Sequence, residues 1–530
     1  MTKTPLVGLM VALIGPFGQL HAQTRTDRAT VEWGAEMSDN KDGVFASMFG
    51  YTDEAVYMTV RLKKELFIRK MDTRHKVVYQ KVLPLEIDKK DHSLERIVLA
   101  DDKIIVFTSF FDKKENRNTL YGRVFNAGDM SPAVRLQKLA TMDVERRRNQ
   151  GSFSVHVSPN DRMILVHQRL PFEKEGHERF ELKVLDTGLQ VQWEQRVDLP
   201  YKDDEFRVER LRVDDDGSVM VIGNKYAEKR EAKELRKDGK ATYTYHLLVY
   251  RSDGSAPEDH AVVVPDKFLQ DLSITIAREG DILCGGFYGA KGSFATSGAF
   301  FLRLDRTTKQ IVHSSFKEFD RDFITMYMTE KEEAKATKRA ERKGEELEMY
   351  DYELRDIIVR SDGGAILMGE QYNYYTVTTC STNANGGQTC TTTYHYVYND
   401  IIAVNIDPNG DIEWAAKVPK RQHTINDGGR ASSYGMVLKG DNIHLLFNDN
   451  GANLFLKPGD KVQSYRPGRE ALVTLATIAG DGKVHREALL SVEKREAIIR
   501  PKSAAQIADD RLFIYADWKK THRFGTVTFN

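Results

Sequence analysis

The chain has 530 residues with 78 basic and 78 acidic side chains, so its formal charge is zero and nothing in it favours a nucleic-acid partner. At 41% hydrophobic it holds ample material for a large core, and three cysteines are too few for a disulfide framework. No apolar run approaches the roughly 20 residues that a membrane-spanning helix needs, so no transmembrane segment is expected.

In chain order, the first element is MTKTPLVGLMVALIGPFGQLHAQ. It has Lys3 ahead of the apolar run Leu6–Ile14, a breaker at Pro16, and Ala22 before Gln23. That is the layout of a secretory signal peptide over residues 1–22, cleaved near Ala22. The alternative is a buried N-terminal helix. With no Cys at the cut, no lipid anchor through Cys is expected. The protein is therefore expected to be exported, to the periplasm or the extracellular space.

From there an apolar strand after a tight polar turn recurs. It starts at Asp53 (DEAVYMTV), Asp102 (DKIIVFTS), Asp161 (DRMILVHQ), Asp216 (DGSVMVIG), Gly280 (GDILCGGF), Asp362 (DGGAILMG), Asp441 (DNIHLLFN) and Asp510 (DRLFIYAD). Each copy follows another alternating stretch, so each marks a hairpin. A second hairpin follows most copies and carries a fixed spacing. Asp72 precedes Val77 and Tyr79, Asp186 precedes Val191 and Trp193, and Asp407 precedes Ile412 and Trp414; Asp305, Ile311 and His313 repeat this one residue longer. An Asp can bond the turn backbone, and an aromatic on one strand face can pack between sheets.

Four strands per unit with little helix predict an all-β fold: a β-propeller of four-stranded blades, closed as one domain over 23–530. Eight blades are expected, with seven as the alternative if one degenerate unit is miscounted, and a pair of packed β domains as the lesser reading. The last unit (499–530) supplies three strands, so the orphan strand at 30–37 is expected to pair with it and seal the ring.

The stretch DGGAILMGEQY…DIIAVNIDPNGDIEWAAKVPK resembles the tandem repeats of secreted bacterial β-propeller proteins of unknown function. The matching positions are Asp362, Gly363, Gly364, Gly369, Asp407, Gly410 and Trp414. The match is good in the sixth unit, partial in the third to fifth and faint elsewhere, and it implies a fold rather than an activity. The same stretch is similar to the Asp-box of sialidase-type propellers, but its Asp-to-Gly spacing is one residue too long and Asn405 stands where that motif has Ser.

In a four-stranded meander the connections between strands two and three, and those from one blade to the next, share one face. The long segments 225–243, 317–350 and 372–398 all fall in that class, so they are expected on one side, where loops on a rigid scaffold bind partners. Segment 317–350 reads as a helical insertion between blades five and six, with Phe319, Phe323 and Tyr327 as the stripe that pins it. Segment 372–398 reads as a long β-hairpin with Asn-Gly-Gly at its tip. Cys380 and Cys390 either bridge it or remain free thiols, and Cys284 reads as buried.

Tyr372, Tyr374, Tyr375, Tyr394 and Tyr396, with Tyr398, offer an aromatic surface for sugar rings or peptide, or else rigidify the hairpin by cross-strand pairing. Basic residues gather in blade-to-blade connections: Arg146, Arg147 and Arg148; Lys420, Arg421, His423 and Arg430; Arg495, Arg500 and Lys502. Their convergence on the axis would suit an anionic ligand; scattered solvated charge is the alternative. Arg421, His423 and Arg430 join the tyrosines as candidate binding residues.

Local catalytic motifs fail. HERFE at His177 has Glu181 where a zinc helix needs a second His, and DPNGDI at Asp407 lacks the Gly and closing Glu of a calcium loop. There is no G-x-S-x-G elbow and no phosphate-binding loop. No metal or cofactor is expected. The reading favours an exported, monomeric binding or scaffold module over an enzyme, with a protein or glycan on the insertion face. The rivals are a propeller hydrolase acting on glycans at the funnel mouth and a structural cell-envelope protein.

Overall fold

The computed structural model describes residues 23–145, 147–173, 176–238, 240–264, 267–277, 280–289, 295–305, 307–343, 347–382, 387–468, 470–491 and 498–530. The expected signal segment, Arg146, Arg495 and the residues 383–386 of the hairpin tip lie outside them, as does the side chain of Arg147. Among the described residues eight antiparallel sheets of four or more strands follow one another along the chain. The second shows the plan: Ser93–Ala100, Lys103–Asp112, Arg117–Asn126 and Pro132–Asp143 pair in chain order.

The recurrent apolar run forms the second strand of each sheet. It is apolar on both faces, so both faces need cover, and alternate residues serve opposite neighbours because side chains alternate along a strand. Ile104 and Val106 pack with Ala55, Tyr57 and Ile68 of the first sheet, whereas Ile105 and Phe107 pack with Val155, Ile164 and Val166 of the third. The rule holds around the molecule. Leu283 and Phe287 of the fifth sheet meet Leu354 and Leu367 of the sixth, while Ile366 and Met368 turn to Ile443, Leu445 and Phe447 of the seventh. Leu512 and Ile514 of the eighth sheet then meet Leu446 and Val473 of the seventh, and Phe513 and Tyr515 meet Val56, Met58 and Val60 of the first. The succession of cores closes on itself, which is a β-propeller. Each wholly buried aromatic such as Phe107 holds about 3–5 kcal/mol against truncation to Ala.

The chain ends share the eighth sheet. Ala29–Trp33 pairs antiparallel with Thr521–Phe529, Val31 opposite Val527. The single strand expected over 30–37 is two short ones: Met37–Ser38 pairs separately with Thr521 and His522.

The Asp–turn–aromatic spacing has a structural purpose. Oδ1 of Asp186 accepts from the amides of Gly188 and Gln190 at 2.8 and 2.9 Å, and Oδ1 of Asp72 does the same for Arg74 and Lys76. The aromatic then reaches the next sheet. Trp193 Nε1 donates to Gly217 O at 2.9 Å, Trp414 Nε1 to Gly480 O at 2.8 Å, and the Tyr79 hydroxyl to Ala127 O at 3.0 Å. His313 stands 3.2 Å from the Asp411 carboxylate of the next sheet. Gly410 holds φ +100° in that turn, and a Cβ there would meet the His313 ring at 2.6 Å, so glycine is required twice over.

The crossover after the fifth sheet starts two residues later than the expected 317. Lys317 and Glu318 belong to the strand Ile311–Glu318, and two helices follow, Arg321–Thr325 and Glu330–Lys343. Asp320 caps the first by accepting from Phe323 N at 2.8 Å, and Thr329 and Glu332 form a reciprocal capping box on the second. Phe319 and Ile324 anchor the crossover in the core between the fifth and sixth sheets, with Phe319 and Phe323 stacked at 4.7 Å. Among the described residues no helix is long and apolar enough to cross a membrane.

Candidate functional site

The second and third strands of the sixth sheet, Ala365–Thr382 and Gln388–Ile406, run far past their neighbours as one hairpin. Pairing is continuous from Tyr372–Tyr398 to Thr382–Gln388, and Cys380 and Cys390, directly opposed, are disulfide-bonded. The alternation of β side chains sorts the aromatics. Tyr372, Tyr374, Tyr394, Tyr396 and Tyr398 share one face, with ring centroids 4.8 Å apart for Tyr372–Tyr398 and 5.2 Å for Tyr374–Tyr396. Tyr374 and Tyr394 are 47% and 44% exposed, so the outer end of this face is open to a ligand.

Tyr375 lies on the opposite face and does not join that surface. It stacks on His395 at 4.6 Å, and His395 Nδ1 is 3.0 Å from His423 Nε2. His423 sits on Gln422–Ile425, a short strand of the blade-to-blade connection that pairs with His395–Tyr398. The connection thus braces the hairpin. Burial and the charge of His395 hold the His423 imidazole below its ordinary pKa.

The hairpin root is a buried ionic cluster. Glu370 and Lys420 are both 0% exposed, with Lys420 Nζ 2.7 Å from Glu370 Oε1. The other carboxylate oxygen accepts from Ser433 Oγ at 2.8 Å and from Arg355 Nη2 at 3.0 Å. Gln422 completes the set, taking Lys420 Nζ at 3.3 Å and Ser433 N at 2.8 Å and giving its own amide to Asn448 O. Burial lowers the Lys420 pKa against the opposing pull of Glu370. Arg355 lies over the rings of Tyr372 and Tyr398, and Lys502 over Tyr398 at 4.8 Å while donating to its hydroxyl. The root therefore couples the tyrosine face to the sixth, seventh and eighth sheets.

Several of the basic residues in the blade-to-blade connections are engaged where they stand. Lys420 is spent on Glu370, Arg421 is 3.7 Å from Glu332, and Arg500 is bound to Asp517. Arg430 is exposed, and its charge acts on Tyr515 of the eighth sheet. Charged groups on the first strands, which pack side by side at the centre, are likewise engaged. Arg96 donates to Val155 O, Arg210 pairs with Asp271, and Asp271 accepts from Leu354 N. These contacts link successive sheets rather than presenting a reactive group. Among the described residues no cluster of three or more His, Cys, Asp or Glu is arranged to hold a metal. Cys284 is wholly buried, its thiol pushed up to about 12 by burial.

Sequence reasoning missed Glu370, Arg355 and Ser433. The available signal was a lone Glu in the otherwise apolar run AILMGEQY. It also missed the insertion between the second and third strands of the seventh sheet, where Gly459 N donates to Met326 O of the crossover.

No family model matches the chain, and no curated protein matches it. Similar solved structures include an uncharacterised protein from Listeria monocytogenes, at 10% identity over 82% of this chain and 94% of that one, TM-score 0.35. Others are the β-propeller domain of the Trilobed protease from Pyrococcus furiosus, at 8% identity over 71% and 97%, TM-score 0.32, and an ulvan lyase of a new polysaccharide lyase family, at 9% over 86% and 94%, TM-score 0.35. At such scores these likenesses carry no argument, and the propeller assignment rests on the closed succession of sheets.

Proposed function

We propose that the chain is an exported eight-bladed β-propeller, each sheet one blade, that serves as a binding or scaffold module through the face bearing the crossover helices and the sixth-sheet hairpin. The observation that carries this reading is the tyrosine face: five tyrosines in register on a disulfide-closed hairpin whose root is fixed by a buried ion pair. Rigid aromatics with polar tips supply contact area at low entropic cost, which is the composition of a recognition surface. The engagement of the axial charges in links between sheets favours binding over hydrolysis.

The test is a glycan array and a peptide array probed with the intact protein, with the Tyr374→Ser/Tyr394→Ser/Tyr396→Ser variant, and with a Thr376–Thr392 deletion. The expected result is ligands whose affinity falls by about tenfold or more in both variants at an unchanged unfolding midpoint. Ligands retained in full by the deletion would remove the hairpin from the reading.

A further inference from the structure

Beneath the crossover helices the insertion face holds a cleft of about 370 Å³, within the roughly 300–1,000 Å³ usual for small-molecule sites. Its walls come from the crossover, the hairpin root, the end of the fourth strand of the sixth sheet and, through Val462, the seventh sheet. We propose that this cleft binds a neutral sugar residue, its hydroxyl groups donating to Asp400 and Asn399. The inference names a ligand class for the face argued above and rests on that reading.

Unmet hydrogen-bond acceptors come first. Asn399 Oδ1 is buried and has no protein partner among the described residues. Among the described residues the neighbouring Asp400 carboxylate receives only the Lys420 amide, at 3.4 Å. Adjacent acceptors of this kind suit a ligand that donates twice, as vicinal hydroxyls do. Tyr327 and Tyr352 flank them: burial raises both phenol pKa values, and the Asp400 charge adds to the rise. Their rings and the buried Ile324 and Met349 give the C–H face of a pyranose an apolar wall.

Charge balance excludes the other double donors. An ammonium group would approach Asp400 against Lys417, which is hydrogen-bonded only to backbone carbonyls among the described residues and whose charge already acts on that carboxylate. Lys417 is itself fixed, donating to Phe323 O at 2.6 Å and Ile324 O at 3.1 Å, so it is not free to receive an anion. An anionic ligand would meet the Asp400 carboxylate across the same space. A neutral hydroxylated ring meets neither obstacle.

The test titrates the full-length chain calorimetrically with glucose, galactose, mannose and N-acetylglucosamine, and with ethanolamine and acetate as charged controls. At least one neutral sugar is expected to saturate below about 10 mM. Asn399→Ala and Tyr327→Ala are each expected to weaken it about tenfold, and Ala336→Trp, which fills the cleft from the helix, to abolish it without lowering the unfolding midpoint. The Thr376–Thr392 deletion leaves the cleft lining intact and is expected to retain this binding, so failure of the hairpin reading and failure of this site are told apart. No saturation by any of the four sugars, binding of a charged control instead, or binding that survives Ala336→Trp would overturn the proposal.

Discussion

Lys420 and Glu370 face each other at 2.7 Å with neither side chain reaching solvent. Removing one partner of a buried, hydrogen-bonded pair leaves an uncompensated charge at a cost of about 3–5 kcal/mol. Lys420→Met and Glu370→Gln are therefore each expected to lower the unfolding free energy by about that much, and the double variant by clearly less than the sum. Denaturant unfolding of the four proteins checks this. Additive losses would mean that the two residues act independently.

Trp414 and Trp193 each tie their sheet to a turn carbonyl of the next. Replacing either by Phe keeps an aromatic ring and removes the N–H, at an expected cost of about 1–2 kcal/mol for Trp193, whose partner Gly217 is buried, and about 0.5–1 kcal/mol for Trp414, whose partner Gly480 is exposed. Thermal unfolding of Trp414→Phe and Trp193→Phe is the measurement, with the exposed Phe172→Leu as a control expected to change little.

Acid should destabilise the propeller through buried neutral histidines. Burial lowers the pKa of His156 and His444 to about 4 and that of His167 to about 3, from 6.5. Below 6.5 the unfolded chain binds protons that the folded one refuses, so stability is lost as pH falls from 6.5 towards 4. Urea midpoints between pH 7 and pH 4.5 should fall, and His167→Gln should flatten the dependence.

Glu178 acts in the opposite sense. Burial, with a hydrogen bond to Asp203 and the charge of that residue, raises its carboxyl pKa from 4.5 to about 8. Between those values the folded state holds a proton that the unfolded state has released, so stability falls as pH rises from 4.5 to 8. Glu178→Gln keeps a hydrogen-bonding amide without the titration. It should stabilise the protein at pH 8 relative to the parent and have little such effect at pH 4.5, by urea midpoints at the two pH values.

How far the sequence could be read depended on whether an interaction was local. The Asp-turn bonds of Asp72 and Asp186 lie within four residues, so spacing exposed them directly. The alternation that puts Ile104 and Ile105 on opposite sides is equally local, although the identity of the neighbouring sheets is not. Alternation alone sets Tyr375 opposite Tyr374; what only the cross-strand register assigns is that Tyr394, Tyr396 and Tyr398 share the face of Tyr372 and Tyr374. The partners of the basic residues were less legible still, because counter-charges come from far along the chain. Glu370 lies fifty residues from Lys420, and Glu332 lies far from Arg421 in the crossover.

By itself the sequence determined the repeated strands, their turns and the two-sided apolar runs, because β periodicity and turn chemistry act over a few residues. Only the tertiary structure decided which charges cancel, which aromatics share a surface, and that Asn399 and Asp400 open into a cleft with the crossover. Those outcomes depend on groups distant in the chain brought within a few ångströms, and burial there sets both the cost of a charge and the worth of its partner.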